Sequence, residues 1–184
     1  ASDQAGPTVL PLLTRVSPPC AEVLGLGDGD ESCVRLVHAS PDAPAVDVYL
    51  NDSLIAENLA FGSATEYVAV PSGEGRTVQV SATGTPIEEA VLTSDLTFEL
   101  GQAYTALVTG NTDDLQLTVT GTDLRPIPEN QARLGVIHAS PDAGAVSIEV
   151  ADGPTIFTDL GFREISPYTP IHVGHYTIHV RRQD

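Results

Sequence analysis

Hydrophobic and polar residues along this chain alternate, or gather in short runs, and seldom recur at helical spacing. "VDVYL" (residues 46–50) and "TVQVSA" (residues 77–82) send successive side chains to opposite faces, the period of a half-buried β-strand. The same reading predicts strands over residues 34–39, 46–50, 54–59, 67–70, 77–82, 91–100, 104–109 and 115–120. Gly, Pro, Asn, Asp and Ser bound these runs. Asn51-Asp52 supplies a hairpin tip between the second and third strands. Nothing in the pattern predicts a helix.

Part of the pattern occurs twice. His-Ala-Ser-Pro-Asp-Ala stands at residues 38–43 and again at 138–143. Leu59, Phe61 and Tyr67 recur as Leu160, Phe162 and Tyr168, and "TVQV" recurs as "TIHV" (residues 177–180). Second-copy strands are predicted over residues 133–139, 146–150, 155–160, 168–173 and 176–180. A period near 100 residues indicates tandem domains, because solenoid repeats are shorter. The predicted fold is all-β: tandem immunoglobulin-like antiparallel β-sandwiches. The chain divides into an N-terminal extension (1–33), a first sandwich (34–121), a Pro-rich polar linker (122–131) and a second, incomplete sandwich (132–184).

The stretch "VRLVHASPDAPAVDVYLND" resembles the opening of the family known as domain of unknown function 4397. The resemblance covers nearly all of residues 34–121 and returns over 132–184. It implies a domain found in secreted and cell-surface proteins of bacteria and archaea, often in tandem. It implies no catalytic residues.

The second copy ends four residues after "TIHV", where the first continues through about three more strands. Each aliphatic side chain those strands would bury is worth ~1.5–3 kcal/mol, so residues 132–184 are not expected to hold together alone. Three completions are open. The natural chain continues; a strand arrives from another subunit; or the N-terminal strand pairs within its own chain. The donor candidate is "TVLPLLTRV" (residues 8–16), with Val9, Leu10, Leu12 and Leu13 as its apolar side chains. Pro11 confines it to a sheet edge. Donation between subunits is head-to-tail, which builds filaments unless the rotation closes.

His38, Ser40 and Asp42 are the residue types of a hydrolytic triad, as are His138, Ser140 and Asp142. A triad needs the imidazole between the hydroxyl and the carboxylate. Neighbours in an extended segment, with Pro41 or Pro141 forcing a turn, do not fold back that way. The motif reads instead as a strand-ending turn, in which Ser and Asp accept backbone N–H groups and His links the strand end to a carbonyl. No enzymatic activity and no cofactor are expected.

Other candidates are weaker. Asp28, Asp30 and Glu31 crowd one loop and suggest calcium, although a solvated turn explains them equally. His172, His175 and His179 suggest zinc only if the last two strands pair. Asn51 begins an Asn-Asp-Ser glycosylation acceptor at a hairpin tip. Cys20 and Cys33, without other ligands, predict a disulfide, the alternative being two buried thiols.

The chain has 184 residues, with 25 acidic residues against eight basic ones, all arginine, for a net charge of −17. That charge disfavours nucleic acid and anionic lipid as partners. No stretch approaches the roughly 20 apolar residues of a membrane helix, so insertion is not expected. The chain has no Met, so Ala1 is read as a processed end, preferably left by signal removal. With the disulfide, this places the protein outside the cell or on its surface. The expected role is structural or adhesive: a filament or sheath subunit joined by an exchanged strand. A carbohydrate- or polymer-binding module, with cell-surface polymers as partners, is the alternative.

Overall fold

The computed structural model describes residues 19–26, 29 and 31–183. Over these the chain is all-β apart from short helical turns. The first unit contains β1 (Ser32–Ala39), β2 (Val46–Leu50), β3 (Ser53–Leu59), β4 (Val68–Val70), β5 (Gly73–Ala82), β6 (Leu92–Phe98), β7 (Ala103–Thr109) and β8 (Gln116–Thr122). They form two sheets, ordered β4-β1-β7-β8 and β3-β2-β5-β6. Alternation selects the inward side chains. Val34 and Leu36 of β1 and Ala106 and Val108 of β7 meet Val46 and Val48 of β2, Val78 and Val80 of β5, and Phe98 of β6 in one buried cluster.

The all-β sandwich expected from the sequence is present, and it differs from the expectation in two details. The sandwich is not wholly antiparallel, because β1 and β7 pair in parallel from Cys33↔Ala103 to Ala39↔Thr109. Alternation reports which face a side chain takes and is silent about which distant strand lies beside it. The chain also contains a helix, α1 (Cys20–Leu24), ended by Gly25 in the left-handed conformation (φ 70°). Five residues are too few to show a helical period. The Cys20–Cys33 disulfide fixes α1 to the start of β1, with Cα atoms 6.0 Å apart, and the Cys20 N–H bonds the Gly101 carbonyl at 2.9 Å. Closing so short a loop contributes about 3 kcal/mol by limiting the unfolded chain.

The second unit contains β9 (Gln131–Leu134), β10 (Val146–Val150), β11 (Thr155–Leu160), β12 (Thr169–His172) and β13 (Ile178–Arg182). It repeats the pairings of the first. Val48↔Val80 returns as Ile148↔Val180, Val46↔Leu59 as Val146↔Leu160, and Val34↔Val68 as Leu134↔Thr169. Asn58 (φ 52°) and Asp159 (φ 55°) stand at the same irregularity in β3 and β11. β12 pairs with β9 and β13 with β10, so the last two strands do not pair with each other as the sequence suggested. Among the described residues nothing corresponds to β6, β7 or β8, and the sheets have two and three strands.

Candidate functional site

The repeated motif closes one joint in each unit. His38 is fully buried at the end of β1. The Ser40 backbone N–H points at His38 Nδ1 (3.3 Å), which makes that nitrogen the acceptor. His38 Nε2 therefore carries the proton and donates to the Pro44 carbonyl at 2.9 Å. The Phe61 ring meets the imidazole edge-on at 6.2 Å. His138 repeats this with the Ser140 N–H (3.2 Å), the Gly144 carbonyl (2.7 Å) and Phe162. Both imidazole nitrogens face backbone groups, so neither histidine bridges its serine and aspartate. Ser40 donates directly to Asp42 (3.4 Å). Asp42 in turn accepts the Thr112 N–H and hydroxyl, each at 3.0 Å, tying the joint to the loop between β7 and β8. In the second unit that loop has no described counterpart. Ser140 is exposed where Ser40 is buried, while Asp42 and Asp142 are both exposed.

The contrast extends across the interior. Val80 is 0% exposed, while Val180, at the same register position, is 64% exposed. Val78 is 3% exposed and its counterpart Ile178 40%. The buried cluster of the second unit is reduced to Val146, Ile148, Phe157 and Leu160, with Leu134, Val136, Ala143 and Ile156 against it. A groove of about 460 Å³ opens beside it, lined by residues including Phe157, Leu160, Ile165 and Pro167. The free edge of β13 lies on the other side of that sheet, with β10 between it and β11, and is unpaired among the described residues.

The two units are held by arginines. Arg163 stands in the left-handed region (φ 65°) where the first unit has Gly62 (φ 77°). Its guanidinium bonds the Thr109 hydroxyl (3.2 Å) and carbonyl (3.4 Å), the Asp114 carbonyl (2.6 Å) and the Asp114 carboxylate (3.0 Å). It also lies over the Phe162 ring at 4.5 Å. Hydrogen bonds from Arg163 hold the Asp114 carboxyl below the usual carboxylate range. Gly110 permits this approach, since a Cβ there would overlap the Asp114 carbonyl and the guanidinium. At the other end Arg133 bonds the Asp123 and Arg125 carbonyls (3.3 and 2.6 Å). Between the ends lies a crevice of about 450 Å³, lined by Arg35, Tyr67, Thr105, Arg133 and Tyr168 among others.

Sequence reasoning missed Arg163 and Asp47. Asp47 is buried within β2 and accepts the Asn58 N–H (2.7 Å), the Thr83 hydroxyl (2.9 Å) and the Gly84 N–H (3.2 Å). The Asn58 N–H is the main cause that holds its carboxyl below the usual range; desolvation opposes it, and the Gly84 N–H and Thr83 hydroxyl assist. The only signal was an aspartate inside an apolar strand.

The remaining candidates stay apart. Asp28 and Asp30 lie outside the described residues, as do Val9, Leu10, Leu12 and Leu13, while Glu31 is exposed ahead of β1. His172, His175 and His179 are exposed, the first and last in different sheets. Among the described residues no three His, Cys, Asp or Glu side chains gather to hold a metal ion. Asn51 is exposed at the β2–β3 turn, where its Oδ1 accepts the Thr77 N–H at 3.0 Å. No described helix is long and apolar enough to cross a membrane.

The chain matches the family model of the domain of unknown function DUF4397 over residues 32–149. It covers more than half of the 184 residues, and the chain belongs to that family. The match runs from the start of β1 into β10 as one span, so the internal repeat rests on the motifs and strand registers above. No curated protein matches the sequence.

Proposed function

We propose that this DUF4397 chain is an extracellular structural protein, a subunit of a surface filament or sheath whose copies join when one completes the second unit of the next. The observation that carries this reading is the pair Val80 and Val180, buried and exposed at one position of one fold. Ile178 and Val180 share one exposed face of a strand whose outer edge is unpaired among the described residues, and such an edge can accept another strand. The arginine contacts orient the open unit against the first, so successive copies meet at one repeated angle, as a filament requires. Light scattering and electron microscopy of the full chain over a concentration series test it. Association into linear particles is expected; a monomer at every concentration rejects it.

A second reading draws on the crevice between the units. Tyr67 and Tyr168, the Thr105, Thr120 and Thr122 hydroxyls, and Arg35 and Arg133 line one cleft, and Arg35 Nε is buried there without a hydrogen-bond partner. Stacking rings beside polar groups suit a carbohydrate or acidic polymer. Binding to a glycan array, lost on Tyr67→Ala, would favour this reading.

A further inference from the structure

Resting on the crevice reading, we propose that the cleft between the two units binds the carboxylate of an acidic sugar, a uronate, with Arg35 as its charged partner and the Tyr67 hydroxyl as a donor beside it. The cleft holds about 450 Å³ and is lined by residues from Arg35 to Tyr168. That volume falls within the ~300–1,000 Å³ of small-ligand sites.

Strand register assembles the charged wall. Arg35 of β1 stands opposite Thr105 of β7. Alternation sends their neighbours Val34, Leu36 and Ala106 into the core and leaves Arg35 and Thr105 on the outer face. Arg35 Nη2 donates to the Thr105 hydroxyl at 3.2 Å, and the guanidinium lies 5.1 Å from the centre of the Tyr67 ring. Its Nε has no hydrogen-bond partner. Arginine carries five N–H donors, and among the described residues no carboxylate pairs with this one. A half-buried cation with only neutral partners gains from an anion.

The hydrogen bonds around Arg35 also have a direction. Arginine can only donate, so Thr105 Oγ1 accepts. Thr105 is buried, and its hydroxyl meets one other partner among the described residues, Thr122 Oγ1 at 3.2 Å. The Thr105 proton therefore goes to Thr122. Thr122 donates in turn to the Tyr67 oxygen at 3.0 Å, which leaves the Tyr67 proton for an acceptor in the cleft. A carboxylate beside Arg35 supplies that acceptor.

Arg133 and Asp123 neither take this role nor oppose it. Arg133 already meets the Asp123 carboxylate (3.3 Å) and the carbonyls of Asp123, Arg125 and Pro126. Asp123 is held by Arg125 as well, at 2.7 and 2.8 Å, so its charge is matched. The facing wall is neutral. In the second copy Gly135 stands where the first has Arg35, and Tyr168 where the first has Tyr67. A Cβ at Gly135 would come within 3.0 Å of Tyr168 Cε1, so this ring lies against bare backbone, and the residue is 42% exposed. The repeat thus gives the cleft one cationic wall and one aromatic wall. A uronate fits both, because its carboxylate is carried on a ring with an apolar C–H face that a tyrosine covers.

Isothermal titration calorimetry of the full chain tests this with short oligomers of galacturonate, glucuronate and mannuronate, and with their methyl esters, which keep the ring and cancel the charge. At least one acid should bind, and its ester at least about tenfold more weakly. Arg35→Gln should bring the acid down to the level of the ester, and Tyr67→Phe should weaken the acid about threefold. Arg182→Gln removes a charge from an exposed position outside the cleft lining and should change neither affinity. Circular dichroism checks that each variant is folded; if Arg35→Gln is not, the acid-against-ester ratio on the parent decides. An ester that binds as tightly as its acid, or a folded Arg35→Gln that binds the acid like the parent, overturns the carboxylate site and leaves a cleft for neutral sugars. Failure of every acid to bind also overturns it. A neutral glycan then retained on an array, and lost on Tyr67→Ala, would preserve the crevice reading underneath, whereas an array without any bound glycan rejects both.

Discussion

Replacing His38 by alanine should destabilise the first unit far more than replacing His138 destabilises the second. The Ser40 N–H is buried with the His38 imidazole as its acceptor, and stranding such a donor costs ~1–3 kcal/mol. Removing a fully enclosed ring leaves a cavity and adds a comparable amount. The Pro44 carbonyl belongs to an exposed residue and rehydrates. Together these give about 3–5 kcal/mol for His38→Ala. At His138 the neighbouring Ser140 is exposed, so water replaces the lost acceptor and fills the space; the cost falls to about 1–2 kcal/mol. Urea unfolding followed by far-UV circular dichroism gives both values by linear extrapolation. Costs within about 0.5 kcal/mol of each other, a gap no larger than the error of that extrapolation, would refute the argument that the second joint is open to water where the first is sealed.

Asp47 predicts an acid dependence. Its folded-state carboxyl titrates below the usual value near 3.8, so the stability it contributes is complete above the unfolded value and is lost as pH falls through the folded one. Asp47→Asn should cost about 2 kcal/mol at pH 7 and show a smaller loss of stability between pH 6 and pH 3 than the parent in parallel urea titrations. Arg163→Gly should relieve a left-handed backbone position yet release the second unit, because four hydrogen bonds to Thr109 and Asp114 disappear. Amide exchange in β9 and β12 should quicken about tenfold, the equivalent of roughly 1.4 kcal/mol, with β1 and β7 unchanged.

Much of this fold was legible because a strand writes its period into consecutive residues. "TVQVSA" and "VDVYL" announced β5 and β2, and the repeated hexapeptide announced that β9 begins a second copy. What stayed hidden depends on separation along the chain. Nothing near Val34 reports that Tyr104 lies beside it in parallel register. Nothing near His172 shows that β12 returns to β9 and not to β13. The role of His38 was readable because its partners are two and six residues away. Asp47 and Arg163 were not, since their partners stand 11 to 54 residues distant. Arg163 also occupies a turn position where the first copy has glycine, so the repeat itself gave no hint of a contact.

The central claim is that the second unit is completed by a strand from a neighbour, and amide hydrogen exchange measured on dilute and assembled protein tests it most directly. Assembly should protect the free-edge amides of β9 and slow exchange throughout Ile178–Arg182, with β5 and β7 unaltered. Identical exchange in the two states across β9 and β13 would contradict the claim.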